Sequence, residues 1–407
     1  MKDKKVHSDH DVEDNCLALL GGAPMFESPL HVGQPNIGDK AALQNKLSEI
    51  LDRRWLTNNG PLVQEFEQRV ASQLDVNHCV SVCNATIGLQ LLVRALGLSG
   101  EVIVPSFTFC ATAQALAWCG LKPVFCDVEP AFHTIDVERA RSLVNENTSA
   151  IMGVHLWGNA CDVEAIQRLA EEFGIKVAYD AAHAFGCTYK GRSLGNFGEA
   201  EVFSFHATKY LNCFEGGVVT TNNDELAEKL RLMRNFGFDQ GKVACLGTNA
   251  KMSEISAAMG LTSLDAGESF RQTNIENRRD YHVGLAGIAG VELIELATHP
   301  NHNCQYIVVE VTPELAGLTR DEVIEVLKSE NVLARPYFSP GVHTMPPFDD
   351  DPCEDPLVVT QTLCQTTMTL PTGTGVSSES IAKICKLIRS AISQAKCVRE
   401  KIAAKKI

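Results

Sequence analysis

The stretch Ile175-Lys176-Val177-Ala178-Tyr179-Asp180-Ala181-Ala182-His183 gathers apolar residues into a short run and then stops on a carboxylate followed by small residues. It reads as a buried strand, Ile175 to Asp180, whose end opens onto a loop. Working outward, helix-period segments at Asp162 to Phe173, Asp136 to Leu143, Thr112 to Cys119 and Thr86 to Leu96 alternate with short runs at Ala150 to Trp157, Lys122 to Asp127, Glu101 to Pro105 and His78 to Cys83. Downstream, Ala200 to Phe205 and Gly217 to Thr221 continue the series. From about Asn77 to Asn222 this rhythm predicts an α/β fold, with a mostly parallel central sheet between helices. Ligands collect at the carboxyl ends of the strands in such sheets, so the residues just past each strand are the candidates for chemistry.

Further along, Met252 to Leu285 reads as one long linking helix. The segments Gln305 to Val311, Thr319 to Ser329, Val332 to Tyr337 and Ser378 to about Ala395 then predict a smaller α+β domain. Thr319 and Glu322 have capping-box spacing. Four prolines at 336, 340, 346 and 347, with the acidic run Asp349 to Asp351, mark a loop-rich insertion, and the tail from Lys396 reads as a solvated helix end.

The 407 residues are 45% hydrophobic and 21% charged, which is the composition of a globular chain with a sizeable core. Fifty acidic against 36 basic residues give a net charge of -14 without a basic block, so nucleic acid is excluded as an expected partner. The 15 cysteines are odd in number and never spaced as CxxC, which argues for buried thiols in a reducing compartment and against structural zinc or any other metal site. Basic Met1 to Lys5 is followed by acidic Asp9 to Asp14 before the short apolar run Cys16 to Leu20, unlike a signal peptide. No stretch is long enough to span a bilayer, so a cytoplasmic protein is expected.

Lys209 closes the run Ser204-Phe205-His206-Ala207-Thr208-Lys209, just beyond a predicted strand and ahead of Glu215-Gly216-Gly217. A lysine in an apolar setting loses solvation, its pKa falls, and it becomes a candidate Schiff-base amine; a surface lysine is the alternative. Asp180 at a buried strand end needs a cation, and the protonated pyridine nitrogen of pyridoxal phosphate is one; a helix N-cap is the other reading. His183 is placed either to meet the ring hydroxyl of that cofactor or to sit satisfied in the core. Asn84-Ala85-Thr86-Ile87-Gly88 opens a helix after the first strand, offering free amides and the Thr86 hydroxyl to a phosphate, with Ser204 supplying a second hydroxyl. Phe109 could lie flat on a pyridine ring or belong to the core.

The ordered set Trp55-Leu56-Thr57-Asn58-Asn59-Gly60-Pro61, Asn84-Ala85-Thr86, Pro105 to Thr112, His155-Leu156-Trp157-Gly158, Asp180 to Gly186, Ser204 to Lys209 and Gly247 to Met252 resembles the DegT-type nucleotide-sugar aminotransferases. The likeness runs from about Gly33 to Ala395. It implies the pyridoxal-phosphate-dependent transferase fold of type I: an N-terminal extension (1–32), a large cofactor-binding α/β unit (33–250), a linking helix (251–285) and a small C-terminal α+β domain (286–407). It also implies roles. Lys209 becomes the Schiff-base lysine, Asp180 the pyridine-nitrogen partner, His183 the ring-side contact and Phe109 the stacking ring. Ala85, Thr86 and Ser204 become phosphate contacts, and Asn249 reaches the cofactor phosphate of a neighbouring subunit in a homodimer. Ala85 departs from the family's usual glycine, and Lys209 is retained where dehydratase relatives carry histidine, which favours transamination. Arg335, Tyr337 and His343 resemble the lining of a sugar-nucleotide pocket; a structural loop is the other reading.

The reaction so implied moves an amino group from an amino acid, glutamate in the family, onto a keto-sugar nucleotide. The wording His206-Ala207-Thr208-Lys209 with Asn212 and Glu215-Gly216-Gly217 looks most like enzymes acting at C4 of dTDP-4-keto-6-deoxyglucose. A keto-cyclitol aminotransferase and a non-enzymatic pyridoxal-phosphate sensor are the competing readings.

Overall fold

A computed structural model describes residues 16–296, 301–350, 353 and 355–405. Met1 to Lys5, Asp9 to Asp14 and Asp351 lie outside the described residues. The central sheet has seven strands: β1 (His78–Val82), β2 (Glu101–Pro105), β3 (Lys122–Cys126), β4 (Thr148–Val154), β5 (Lys176–Asp180), β6 (Ala200–Ser204) and β7 (Gly217–Thr221). Their spatial order is β1-β7-β6-β5-β4-β2-β3. Only β7 runs antiparallel to its neighbours, so the other six direct their carboxyl ends to one edge. The strands are almost wholly buried, as expected when both faces are covered by helices.

Polar residues at the strand ends start the covering helices. Asn84 accepts the Ile87 amide at the head of α3 (Ala85–Leu96), following α1 (Lys40–Arg53) and α2 (Pro61–Leu74). Asp136 accepts the Glu138 and Arg139 amides of α5 (Val137–Leu143), after α4 (Ala111–Trp118), and Asp162 accepts Ala165 of α6 (Val163–Phe173). Next come α7 (Asp224–Met233) and the 32-residue α8 (Glu254–Leu285), capped by Ser253. Helix α2 begins after Gly60, which has no side chain to offer. Glu254, fully buried, reaches it instead and accepts the Leu62 and Val63 amides at 3.1 and 2.9 Å.

Beyond α8 an antiparallel sheet forms from β8 (Val291–Leu293), β9 (Ile307–Val311) and β10 (Thr367–Leu370) in the order β8-β9-β10. Helix α9 (Arg320–Ser329) carries the Thr319–Glu322 capping box. Helix α10 (Ser378–Ser393) packs its Ile381, Ile384 and Ile388 into the same core.

Four expectations from the sequence are corrected. The run to Trp157 leaves the sheet at Val154 and ends in a 3-10 turn (Leu156–Gly158), with Trp157 at φ 60°. The segment Val332 to Tyr337 forms a strand only over Val332–Leu333, which pairs with Leu30–His31: the Ala334 amide turns back onto the Val332 carbonyl, the Arg335 amide goes to Thr369, and Pro336 has no amide to continue a ladder. The run from Gln305 joins the sheet only at Ile307. After Ser393 the chain turns at Gln394 into α11 (Ala395–Lys405), whose Val398 is fully buried, so the tail is more than a solvated end. The N-terminal segment also docks here: Leu17 and Leu19 enter the small sheet's core, and Glu330 accepts the Ala18 and Met25 amides at 2.7 and 2.8 Å.

Glu254→Ala leaves two buried helix-start amides without an acceptor, and urea denaturation should show a loss of about 2 kcal/mol. An unchanged midpoint would mean that water replaces the carboxylate.

Candidate active site

The carboxyl edge of the central sheet borders a cavity of about 550 Å³, closed from the far side by residues that flank the small sheet. Lys209 lies on the turn after β6, and its Nζ donates to the Tyr306 hydroxyl at 3.2 Å. Burial lowers the amine to about 8, against the charge of Asp180, which favours the ammonium.

Asp180 closes β5 and is buried. One oxygen accepts the Thr112 hydroxyl at 2.8 Å and the other the Ala182 amide at 3.0 Å. Desolvation nevertheless raises its pKa over the opposing effects of these bonds and of Lys209. The protein alone therefore under-compensates this carboxylate, and the cavity beside it has room for a cation.

His183 follows on the next turn. Its Nδ1 accepts the Trp157 amide at 3.3 Å, which places the ring hydrogen on Nε2. The ring stacks on Trp157 at 5.7 Å, and burial lowers its pKa, so it stays neutral. It is packed as a core histidine and lines the cavity as well.

At the end of β1, Asn84 spends its side chain on Ile87, leaving the Ala85 and Thr86 amides at the start of α3 without helix carbonyls. Both residues line the cavity, as does Ser204. Gly217 backs this turn: a Cβ there would stand 2.7 Å from the Ala85 nitrogen. Phe109 lines the cavity with 54% of its surface exposed, so it is not a core aromatic in this chain. Arg335 and Tyr337 stand at the opposite wall, joined by an Nη1 to hydroxyl bond of 3.0 Å.

Two residues singled out in the sequence lie elsewhere. Asn249 is exposed on the segment that follows α7, away from the cavity lining. His343 braces the wall from behind, with Nδ1 at 2.6 Å from the Ser106 hydroxyl and its ring edge-on to Phe125. The structure adds Tyr306, Phe338, Glu215 and Thr208 to the lining, and Thr112 behind Asp180. Tyr306 meets Lys209 across 97 residues, a separation that no local pattern announces.

Residues 38–389 match the profile of the DegT/DnrJ/EryC1/StrS aminotransferase family. The chain belongs to that family. Among relatives of this aminotransferase, the dTDP-4-amino-4,6-dideoxy-D-glucose transaminase of Shigella dysenteriae is 37% identical, covering 78% of this chain and 86% of that one. The Escherichia coli protein of the same name is 34% identical, covering 89% and 99%. The crystal structure of DesI in the presence of its TDP-sugar product superimposes with a TM-score of 0.92 at 46% identity, covering 96% of this chain and 99% of that one.

Gly217→Ala would push a methyl group onto the Ala85 amide. Equilibrium dialysis should show pyridoxal phosphate bound about tenfold more weakly, a loss of about 1.4 kcal/mol, with the circular dichroism unchanged. Unaltered affinity would mean that the α3 turn does not hold the phosphate.

Proposed function

We propose that this aminotransferase uses pyridoxal phosphate to move an amino group from glutamate onto C4 of dTDP-4-keto-6-deoxyglucose. The observation that carries the cofactor is the under-compensated Asp180 carboxylate, sharing one cavity with a lowered lysine amine and the open start of a helix. The site fits the group at each end. The Ala85 and Thr86 amides, with the Thr86 and Ser204 hydroxyls, would take the phosphate dianion, favoured by the dipole of α3. Asp180 would keep the ring nitrogen protonated, the Nε2 hydrogen of His183 would meet the ring hydroxyl, and Phe109 would cover one face.

Bound there, pyridoxal phosphate supplies an electron sink for the carbon that carries the amino group. Lys209 then works as base and acid at Nζ: it removes the α-proton of the amino donor, and in the return half it delivers a proton to the sugar carbon. An amine near 8 is neutral in an appreciable fraction at physiological pH, as a base must be. The packed rings of Trp157, Tyr306 and Phe338 shield this proton from solvent.

The sugar nucleotide is supported by the relatives' names and by charge. Arg335 is the one guanidinium lining the cavity among the described residues of a chain whose net charge is -14, which makes it the natural partner of a diphosphate. Trp55, Leu56, Phe214, Phe236 and Leu246 are large apolar side chains left exposed, of the kind a homodimer would bury, and in that dimer Asn249 would reach the partner's cofactor phosphate.

Asp180→Asn should slow the glutamate half-reaction about 100-fold or more in stopped-flow absorbance while weakening cofactor binding far less; near-normal rates would reduce Asp180 to a structural acceptor. With a panel of keto-sugar nucleotides and keto-cyclitols, the enzyme should aminate the dTDP-4-keto sugar fastest. Arg335→Ala should raise KM for that substrate about tenfold and leave the glutamate half untouched. Turnover confined to nucleotide-free keto-cyclitols would replace the substrate proposed here.

A further inference from the structure

Lys209 has a partner that the chemistry above does not use. Its Nζ donates to the Tyr306 hydroxyl oxygen at 3.2 Å, and the two residues come from different layers: Lys209 from the turn after β6, Tyr306 from the residue before β9. The Tyr306 side chain has little freedom. The residue is 8% exposed, and its ring is held edge-on to Trp157 at 5.2 Å and tilted against His183 at 4.5 Å. Burial pushes the phenol well above its ordinary range, so the oxygen accepts from Lys209 while keeping its own hydrogen. A lysine stem has four rotatable bonds, and a free amine on it would otherwise sample many directions. With one N–H fixed on Tyr306, the lone pair of the neutral amine points in a limited set of directions.

We propose that Tyr306 is a positioning residue for Lys209, holding the free amine between the two half-reactions and setting the pH range over which that amine works. The inference rests on the transamination reading of Lys209. Several titratable groups share the cavity with this amine. Asp180 stands at the end of β5, neutral His183 on the loop after it, and His206 on the turn of Lys209 itself. Glu215 lies ahead of β7, and Tyr337 with Arg335 come from the segment following the Val332–Leu333 strand. Asp180 and Tyr337 favour the ammonium, against desolvation. The Tyr306 oxygen adds an acceptor, and an acceptor stabilises an ammonium more than an amine. Its removal should therefore lower the Lys209 amine further and leave it poorly aimed.

The test is the titration of Lys209 in the full-length apo-protein, read by mass spectrometry as the pH dependence of its acetylation by acetic anhydride. The wild-type amine should titrate near 8, and Tyr306→Phe should move it down by about one unit. In the holoenzyme the acidic limb of kcat should shift with it, on a lower plateau. Replacing Tyr306 by 3-fluorotyrosine keeps the ring and weakens the oxygen as an acceptor, so the titration should move the same way by less. An unmoved titration in folded Tyr306→Phe protein, or in the fluorotyrosine protein where the first does not fold, overturns the proposal. A fall in kcat with an unmoved acidic limb also overturns it, because packing alone would give that result. If borohydride fixed no pyridoxal phosphate on wild-type Lys209, the transamination reading itself would fall.

Discussion

A carboxylate buried at the end of a strand, with too little positive charge around it, is the constraint on which this architecture depends. Asp180 receives one hydroxyl and one amide hydrogen bond, yet burial still raises its pKa. Such a group is tolerable only where a cation can stand beside it. The sheet holds it rigidly: the Val154 and Val202 positions pair with Asp180 on either side, so the carboxylate cannot swing toward solvent without breaking the centre of the sheet. The cavity, the lysine and the open helix start are all arranged around that fixed charge.

Their convergence follows from strand direction. Six strands deliver their last residues to one edge, and the antiparallel β7 brings its first residue, Gly217, to the same edge. The glycine allows the α3 turn to lie against the sheet without a methyl group in the way. Each strand end then divides its polar residues between capping the next helix and facing the cavity. Asn84 caps while Ala85 and Thr86 face inward. Ser106 braces His343 while Thr108 and Phe109 face inward.

How much of this could be read beforehand depended on how local the signal was. The strands of the central sheet and Asp180, Lys209 and Thr86 at their ends were legible, because period and strand-end position are properties of a few consecutive residues. The capping box at Thr319 was legible for the same reason. Trp157 reads as strand from its β-forming side chain, which gives no sign of the left-handed backbone adopted where the chain turns over His183. Tyr306 and Glu254 were invisible. Their partners lie 97 and more than 190 residues away, and only the tertiary fold sets such pairs. A histidine in a proline-rich loop carries no mark of which way it faces, so nothing local to His343 shows that it turns to Ser106 and Phe125 instead of the cavity.

The docking of residues 17–31 bears on the order in which the chain can fold. Leu17, Leu19 and the Leu30–His31 strand complete a core whose other members include β9, α9 and α10, up to some 370 residues further on. During synthesis Leu17 and Leu19 cannot complete this core until the segments some 300 to 370 residues further on have emerged. The small sheet is thus closed by segments far apart in the chain, a long-range contact of the kind that slows folding. A nascent chain halted before α10 would leave Leu17 and Leu19 without part of the core that they enter.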